Sequence, residues 1–194
     1  MRKFAYVTSE ELARNPVADK RTEIVRGRLV IREPASPRHG EVAARVLIAI
    51  GMYLDTNPIG RVYAAETGFT LARSPDTVRA PDVAYFRADR APTVDVAGFP
   101  DIAPDLVVEV LSPGERAQQV RAKVADWLRA GTTLVWLLDT ARRSAHVYRA
   151  DGTDVALTVA DALDGELILP GFRPPIARLL SDRSEERRVG KECA

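Results

Sequence analysis

Cysteine is almost absent from this chain: Cys193 is the only one among 194 residues. An internal disulfide, a cysteine-based zinc cluster and a thiol nucleophile held in a folded core all lose their material. No apolar run approaches the roughly 20 residues that a bilayer crossing needs. The opening Met1-Arg2-Lys3-Phe4-Ala5-Tyr6 lacks the apolar stretch of a secretory signal, so the expectation is a cytoplasmic protein with no membrane partner. An excess of one charge is lacking too. The 28 Lys and Arg against 27 Asp and Glu leave a net +1, so any nucleic-acid contact must come from a local patch and not from bulk charge.

What is present describes one ordinary domain. Hydrophobic residues make up 46% and charged residues 28%, a composition that excludes wholesale disorder, and the length allows a substantial single core. The end of the chain departs from this. After Leu179-Leu180, the run Arg183-Ser184-Glu185-Glu186-Arg187-Arg188-Val189-Gly190-Lys191-Glu192-Cys193 turns abruptly to charge without hydrophobic period. It resembles an in-frame translation of a sequencing adapter. The expected organisation is a single domain over residues 1–182 and a non-native tail over 183–194, with a solvated, frayed terminus as the plainer alternative. The tail's four basic and three acidic residues account for the net charge of +1.

Along the chain, Thr8-Ser9-Glu10-Glu11-Leu12 predicts a capped first helix. Glu23 to Ile31 predicts a hairpin turning near Gly27. Ser36-Pro37 suits the start of a long helix whose apolar positions Val42, Val46, Leu47, Ile50 and Leu54 recur at helical spacing. Strands are expected over 61–65, 68–72 and 79–86, then an irregular excursion over 91–104. The run Leu106-Val107-Val108-Glu109-Val110-Leu111 reads as a strand buried on both faces. A helix over about 115–130 stopped by Gly131, a buried strand at Leu134-Val135-Trp136-Leu137-Leu138, and two more exposed strands follow. Strand, helix, strand implies a parallel crossover within a mixed sheet.

Two carboxylates break these patterns. Asp82 follows Pro81 at a strand entrance, and Glu109 interrupts the apolar run. A buried charge costs several kcal/mol unless another charge or a metal meets it. A third departure is Lys123, which lies on the apolar face marked by Val120, Val124, Trp127 and Leu128. Snorkelling of the ammonium to water would explain it alone, but a helix folded back over the preceding strand could carry Lys123 to the two acids. Carboxylate oxygens suit Mg²⁺ or Mn²⁺, which also accept phosphate oxygens, and a lysine can neutralise charge developing on phosphorus.

The order Pro81-Asp82, Pro104 through Glu109 to Pro113, Lys123, Gly131 and Trp136-Leu137-Leu138-Asp139 resembles the Uma-type family of restriction endonucleases in the PD-(D/E)xK nuclease superfamily. The resemblance runs from about Thr8 to Leu180. It implies a fold of α/β class with an α+β mixed sheet: a restriction-endonuclease-like core of three to four strands flanked by helices, with an N-terminal helix and hairpin. It also implies Asp82 and Glu109 as metal ligands, with Lys123 on the helix in place of the usual lysine two residues after the second acid, where Leu111 stands. Glu41 matches an accessory acid near the metal in many superfamily members; by helical spacing it is either that or a solvated surface acid. Three departures are visible. Gln119 replaces an aspartate that could orient the lysine, Trp127 replaces a tyrosine, and Leu134-Val135 replaces a glutamate–tyrosine pair.

The remaining polar residues have plainer readings. His39, with no second His or Cys nearby, is expected to be a solvated helix-start residue and Glu23 a surface charge of the hairpin. Asp105 and Asp139 are expected to cap or turn the chain, and Ser112 lacks a nucleophile-elbow motif. The functional expectation is a Mg²⁺- or Mn²⁺-dependent endonuclease-like phosphodiesterase acting on DNA through Asp82, Glu109 and Lys123, with a homodimer as one open assembly. The alternatives are a nuclease-fold binding or assembly module without turnover and, more weakly, a hydrolase of small phosphate esters.

Overall fold

A computed structural model of the chain describes residues 6–18, 20–93, 97–112 and 114–181. The tail expected to be non-native, 183–194, lies outside the described residues. Helix α1 (Ser9–Arg14) is capped as its sequence predicts: the Thr8 hydroxyl accepts from the Glu11 amide, and the Glu11 carboxylate accepts from the Thr8 amide. Strands β1 (Arg21–Val25) and β2 (Arg28–Arg32) form the expected hairpin. Its turn needs left-handed backbone at Arg26 and Gly27, with φ 50° and 73°, and Tyr6 lies against Gly27 where a side chain would stand.

Helix α2 (Pro37–Thr56) starts at Ser36, whose hydroxyl accepts from the His39 amide, and buries His39, Val42, Val46 and Ile50 along one stripe. Strands β3 (Gly60–Ala64) and β4 (Phe69–Ala72) follow. The strand expected over 79–86 divides in two: β5 (Thr77–Arg79) joins one sheet and β6 (Val83–Arg87) the other. The physical reason is Pro81, which has no N–H to give a ladder and so marks a joint between sheets. Strand β7 (Leu106–Val110), helix α3 (Ala117–Arg129), strands β8 (Leu134–Asp139), β9 (Ser144–Arg149) and β10 (Asp154–Thr158), and the short helix α4 (Ile176–Leu179) complete the order.

The architecture is mixed α+β. A six-stranded sheet runs β10-β9-β8-β7-β6-β3 and a four-stranded sheet runs β2-β1-β5-β4, so the larger sheet, which holds β6 and β7, exceeds the three to four strands expected. Among the described residues every strand pairing is antiparallel except β7 with β8, the crossover through α3. The pleat divides β7 between two cores. Leu106, Val108 and Val110 pack with the α2 stripe and the C-terminal Leu163, Leu169 and Ile176. Val107 packs on the other face with Val124 and Trp127 of α3, and Glu109 shares that face. The small sheet covers its own cluster of Leu12, Ile24 and Val78. Among the described residues, no helix is long and apolar enough to cross a membrane.

Candidate active site

The two sheets meet along a cleft of about 1050 Å³, lined by Arg21, Glu23, Arg32, His39, Asp82, Ser112 and Lys123 among others. Asp82 stands at the joint just before β6. The β6–β7 register pairs Val83 with Val108, so its continuation by one residue sets Asp82 opposite Glu109. Asp82 Oδ2 accepts from the Val110 amide at 2.8 Å, and Oδ1 accepts from His39 Nε2 at 3.0 Å. An Arg21 amino group lies 3.6 Å from Oδ1. Burial pushes the Asp82 carboxyl up, but the hydrogen bond and charge of His39, the charge of Lys123 and the Val110 amide outweigh it and hold the pKa below the usual value.

Glu109 is enclosed more tightly, with 4% of its surface exposed. Its Oε2 accepts from Lys123 Nζ at 2.5 Å, and its Oε1 accepts from the indole N–H of Trp127 at 2.9 Å. Burial dominates its titration and pushes the pKa to about 7; the nearby charge of Asp82 adds to the rise, and Lys123 opposes it. The ammonium of Lys123 would lose its proton more readily through burial. The charges of Glu109, Glu23 and Asp82 outweigh this and raise its pKa, so it is a fixed cation and not a base. Helical spacing delivers both donors: Lys123 and Trp127 lie four residues apart and look onto the same strand. Where a tyrosine was expected after the lysine, the indole of Trp127 still offers a donor. Gln119 is exposed, and the carboxylate of Glu109 orients Lys123 instead.

Two residues read as solvated prove to be buried. His39 is 7% exposed, and its second ring nitrogen, Nδ1, lies 3.2 Å from the Ser112 hydroxyl. An ionised Asp82 can only accept, so Nε2 carries a proton and donates to it, while Nδ1 shares its hydrogen bond with the Ser112 hydroxyl. The signal was in the sequence: His39 continues the 42, 46, 50 stripe three residues earlier. Glu23 is 3% exposed and is not surface charge. Arg32 reaches its Oε2 through Nε at 3.1 Å and Nη2 at 2.8 Å, and Arg79 does so at 2.9 Å. Arg79 also donates to Asp126 on α3 at 2.6 Å. Burial would raise the Glu23 pKa, but Lys123, Arg79 and Arg32 hold it below the usual range.

The structure does not bring Glu41 to the pair. Its carboxylate, 37% exposed, binds Arg45 at 2.7 Å and Arg38 at 3.2 Å. These arginines grip the carbonyls of Leu180 and Ser181. The helix places His39, not Glu41, against Asp82, because Glu41 is out of phase with the buried stripe. Asp105 is engaged by the Arg87 amide at 2.9 Å and by Arg90 at 2.5 Å, and Asp139 caps the turn through the amides of Ala141 and Arg142.

Among the described residues, no group of three or more His, Cys, Asp or Glu side chains is gathered to hold a metal ion. The donor set that does converge is two carboxylates, hard oxygen ligands of the kind with which Mg²⁺ keeps several waters and binds substrate phosphate. A divalent cation fits this pair chemically, because burial and Asp82 already oppose the charge on Glu109.

The chain can be set beside known proteins on these grounds. No curated protein matches it. Among solved structures, a "putative nuclease belonging to DUF820" from Anabaena variabilis superposes with a TM-score of 0.78 at 23% identity, covering 90% of this chain and 98% of the other. That likeness speaks to the fold. The family model described as "Uma2: Putative restriction endonuclease" matches residues 9–179. This span takes in both sheets and every side chain placed around the cleft, and the chain belongs to the Uma2 family.

Proposed function

We propose that the protein is a divalent-metal-dependent nuclease that hydrolyses phosphodiester bonds of DNA, with Asp82 and Glu109 as the metal ligands and Mg²⁺ or Mn²⁺ as the cation. The observation that carries this reading is the bond from Lys123 Nζ to Glu109 Oε2. A lysine missing from the position two residues after Glu109 is supplied from the next helix, at the same carboxylate.

The bound cation would polarise the phosphate and activate water. The protein's own side chains do the rest. Lys123, kept charged by three carboxylates, stabilises negative charge growing on the phosphate. Trp127 fixes one oxygen of Glu109 with a single donor, so that oxygen keeps a second lone pair for a ligand. His39 holds Asp82 in one orientation, with its own ring locked by Ser112. The family membership and the nuclease-like fold support the same reading.

One observation favours a second reading, a binding module that keeps the fold without turnover: each oxygen of Asp82 and Glu109 already has a donor. Purified protein should be incubated with supercoiled plasmid and linear duplex under Mg²⁺, Mn²⁺ and EDTA. Cleavage that requires the cation and disappears in Asp82→Asn supports the nuclease. No cleavage of any nucleic acid, with Mn²⁺ failing to bind in calorimetry, supports the binding module.

A further inference from the structure

We infer that Arg21 is the phosphate-gripping residue of this cleft, binding a non-bridging oxygen of the nucleic-acid backbone beside Asp82; this rests on the nuclease reading above. In the β1–β2 ladder, Arg21 is the direct partner of Arg32. Two arginines opposite each other on one face of an antiparallel pair repel and destabilise the hairpin unless an anion lies between or beside them. Glu23, two residues along the same face, satisfies only one of them: it takes both Nε and Nη2 of Arg32. It also takes Arg79, which is held on its other side by Asp126. Lys123 is held by Glu109.

Arg21 is left. Among the described residues its guanidinium makes no hydrogen bond, and its nearest anion, Asp82 Oδ1, is 3.6 Å away. That distance is long for a charge-assisted bond. The carboxylate is also already engaged by His39 and the Val110 amide. The Arg21 side chain is 24% exposed and lines the cleft. Lys20 continues the positive wall at the exposed rim. Glu33, Glu66 and Glu115 line other parts of the cleft, and the other two cations already placed on its wall, Arg32 and Lys123, are paired with Glu23 and Glu109. A planar guanidinium with free donors, fixed on a strand beside the carboxylate pair, matches a phosphate's paired oxygens better than a lysine would. The ligand class is a phosphodiester. On its arrival, Arg21 would exchange its loose pairing with Asp82 for hydrogen bonds to phosphate.

The test uses the full chain with Arg21→Ala and Arg21→Lys. Binding of a fluorescein-labelled DNA duplex is measured in Ca²⁺ over a range of salt, and Mn²⁺ binding is measured by electron paramagnetic resonance. Arg21→Ala should weaken duplex binding about 10- to 100-fold and reduce the salt slope by about one, with Mn²⁺ affinity unchanged or tighter because a cation beside Asp82 has gone. Arg21→Lys should restore the slope and only part of the affinity. Duplex affinity and slope equal to wild type in Arg21→Ala would overturn the inference and leave the nuclease reading intact. A parallel loss of Mn²⁺ affinity would also overturn it, since Arg21 would then act by holding Asp82. Wild-type protein that neither binds nor cleaves nucleic acid would overturn both.

Discussion

Lys123 and Glu109, 14 residues apart and on different elements, form a part-buried ion pair at 2.5 Å that no local sequence rule requires. In the proposed reaction Lys123→Ala removes a preorganised cation and should lower metal-dependent DNA cleavage by about 10²–10³-fold. The fold should survive, because Glu109 has a pKa of about 7 and can protonate once its partner is gone. Plasmid cleavage rates beside circular dichroism of both proteins check this. Equal rates in the two proteins would remove Lys123 from the mechanism.

His39→Ala deletes the donor to Asp82 and the hydrogen-bond partner of Ser112 together. Expected is a loss of about 10–100-fold in cation affinity or activity, the usual scale for a residue that orients a ligand. His39→Gln should recover part of it through its side-chain amide. Mn²⁺ titration of the three proteins is the measurement, and unchanged affinity in His39→Ala would show that the Val110 amide alone positions Asp82.

Glu23 sets a pH dependence of stability. Its folded pKa is depressed, so between that value and its unfolded value near 4.5 the unfolded chain binds more protons. The stabilisation is therefore present above about pH 4.5 and is lost as pH falls through the folded pKa. Glu23→Gln should lower the denaturation midpoint at pH 7, since breaking a buried pair costs about 3–5 kcal/mol, and should flatten the decline below pH 4.5. Guanidinium unfolding of both proteins at pH 7 and pH 3.5 decides it. A decline of equal steepness would mean that other carboxylates drive the acid transition.

Glu41→Ala separates a structural acid from a catalytic one. The residue organises Arg38 and Arg45 around the carbonyls of Leu180 and Ser181. The expected outcome is a cost of about 1 kcal/mol or less, as for half-exposed pairs, with cleavage within about twofold of wild type. A drop in cleavage of tenfold or more would restore Glu41 to the site.

Glu109 and Lys123 were legible because each breaks a strong apolar pattern, and such breaks survive in a single sequence. His39 was equally in phase with its helix stripe, yet read alone at a helix start it looked solvated. Glu23 and Arg79 were not legible for a different reason. Their partnership spans 56 positions, and hairpin alternation shows which residues share a face without showing what covers it. Arg21 was silent in the same way. The division of the strand at Pro81 follows from a missing N–H, but the pairing of β5 with β1 and of β6 with β7 joins segments distant in the chain and is not written in the strand itself.

Asp82 accepts from the Val110 amide where the β6–β7 ladder would otherwise continue across a proline joint. The carboxylate is therefore a splice in the sheet as well as a proposed ligand, and the two duties separate under substitution. Asp82→Asn keeps an acceptor and should fold, whereas Asp82→Ala strands a buried N–H at a cost of about 1–3 kcal/mol. On the proposed reading, a descendant without hydrolysis would still be selected to keep an acceptor at position 82, and would be free to discard the ammonium at position 123. An acid at the joint would then record architecture, and the lysine on the helix would record the proposed chemistry.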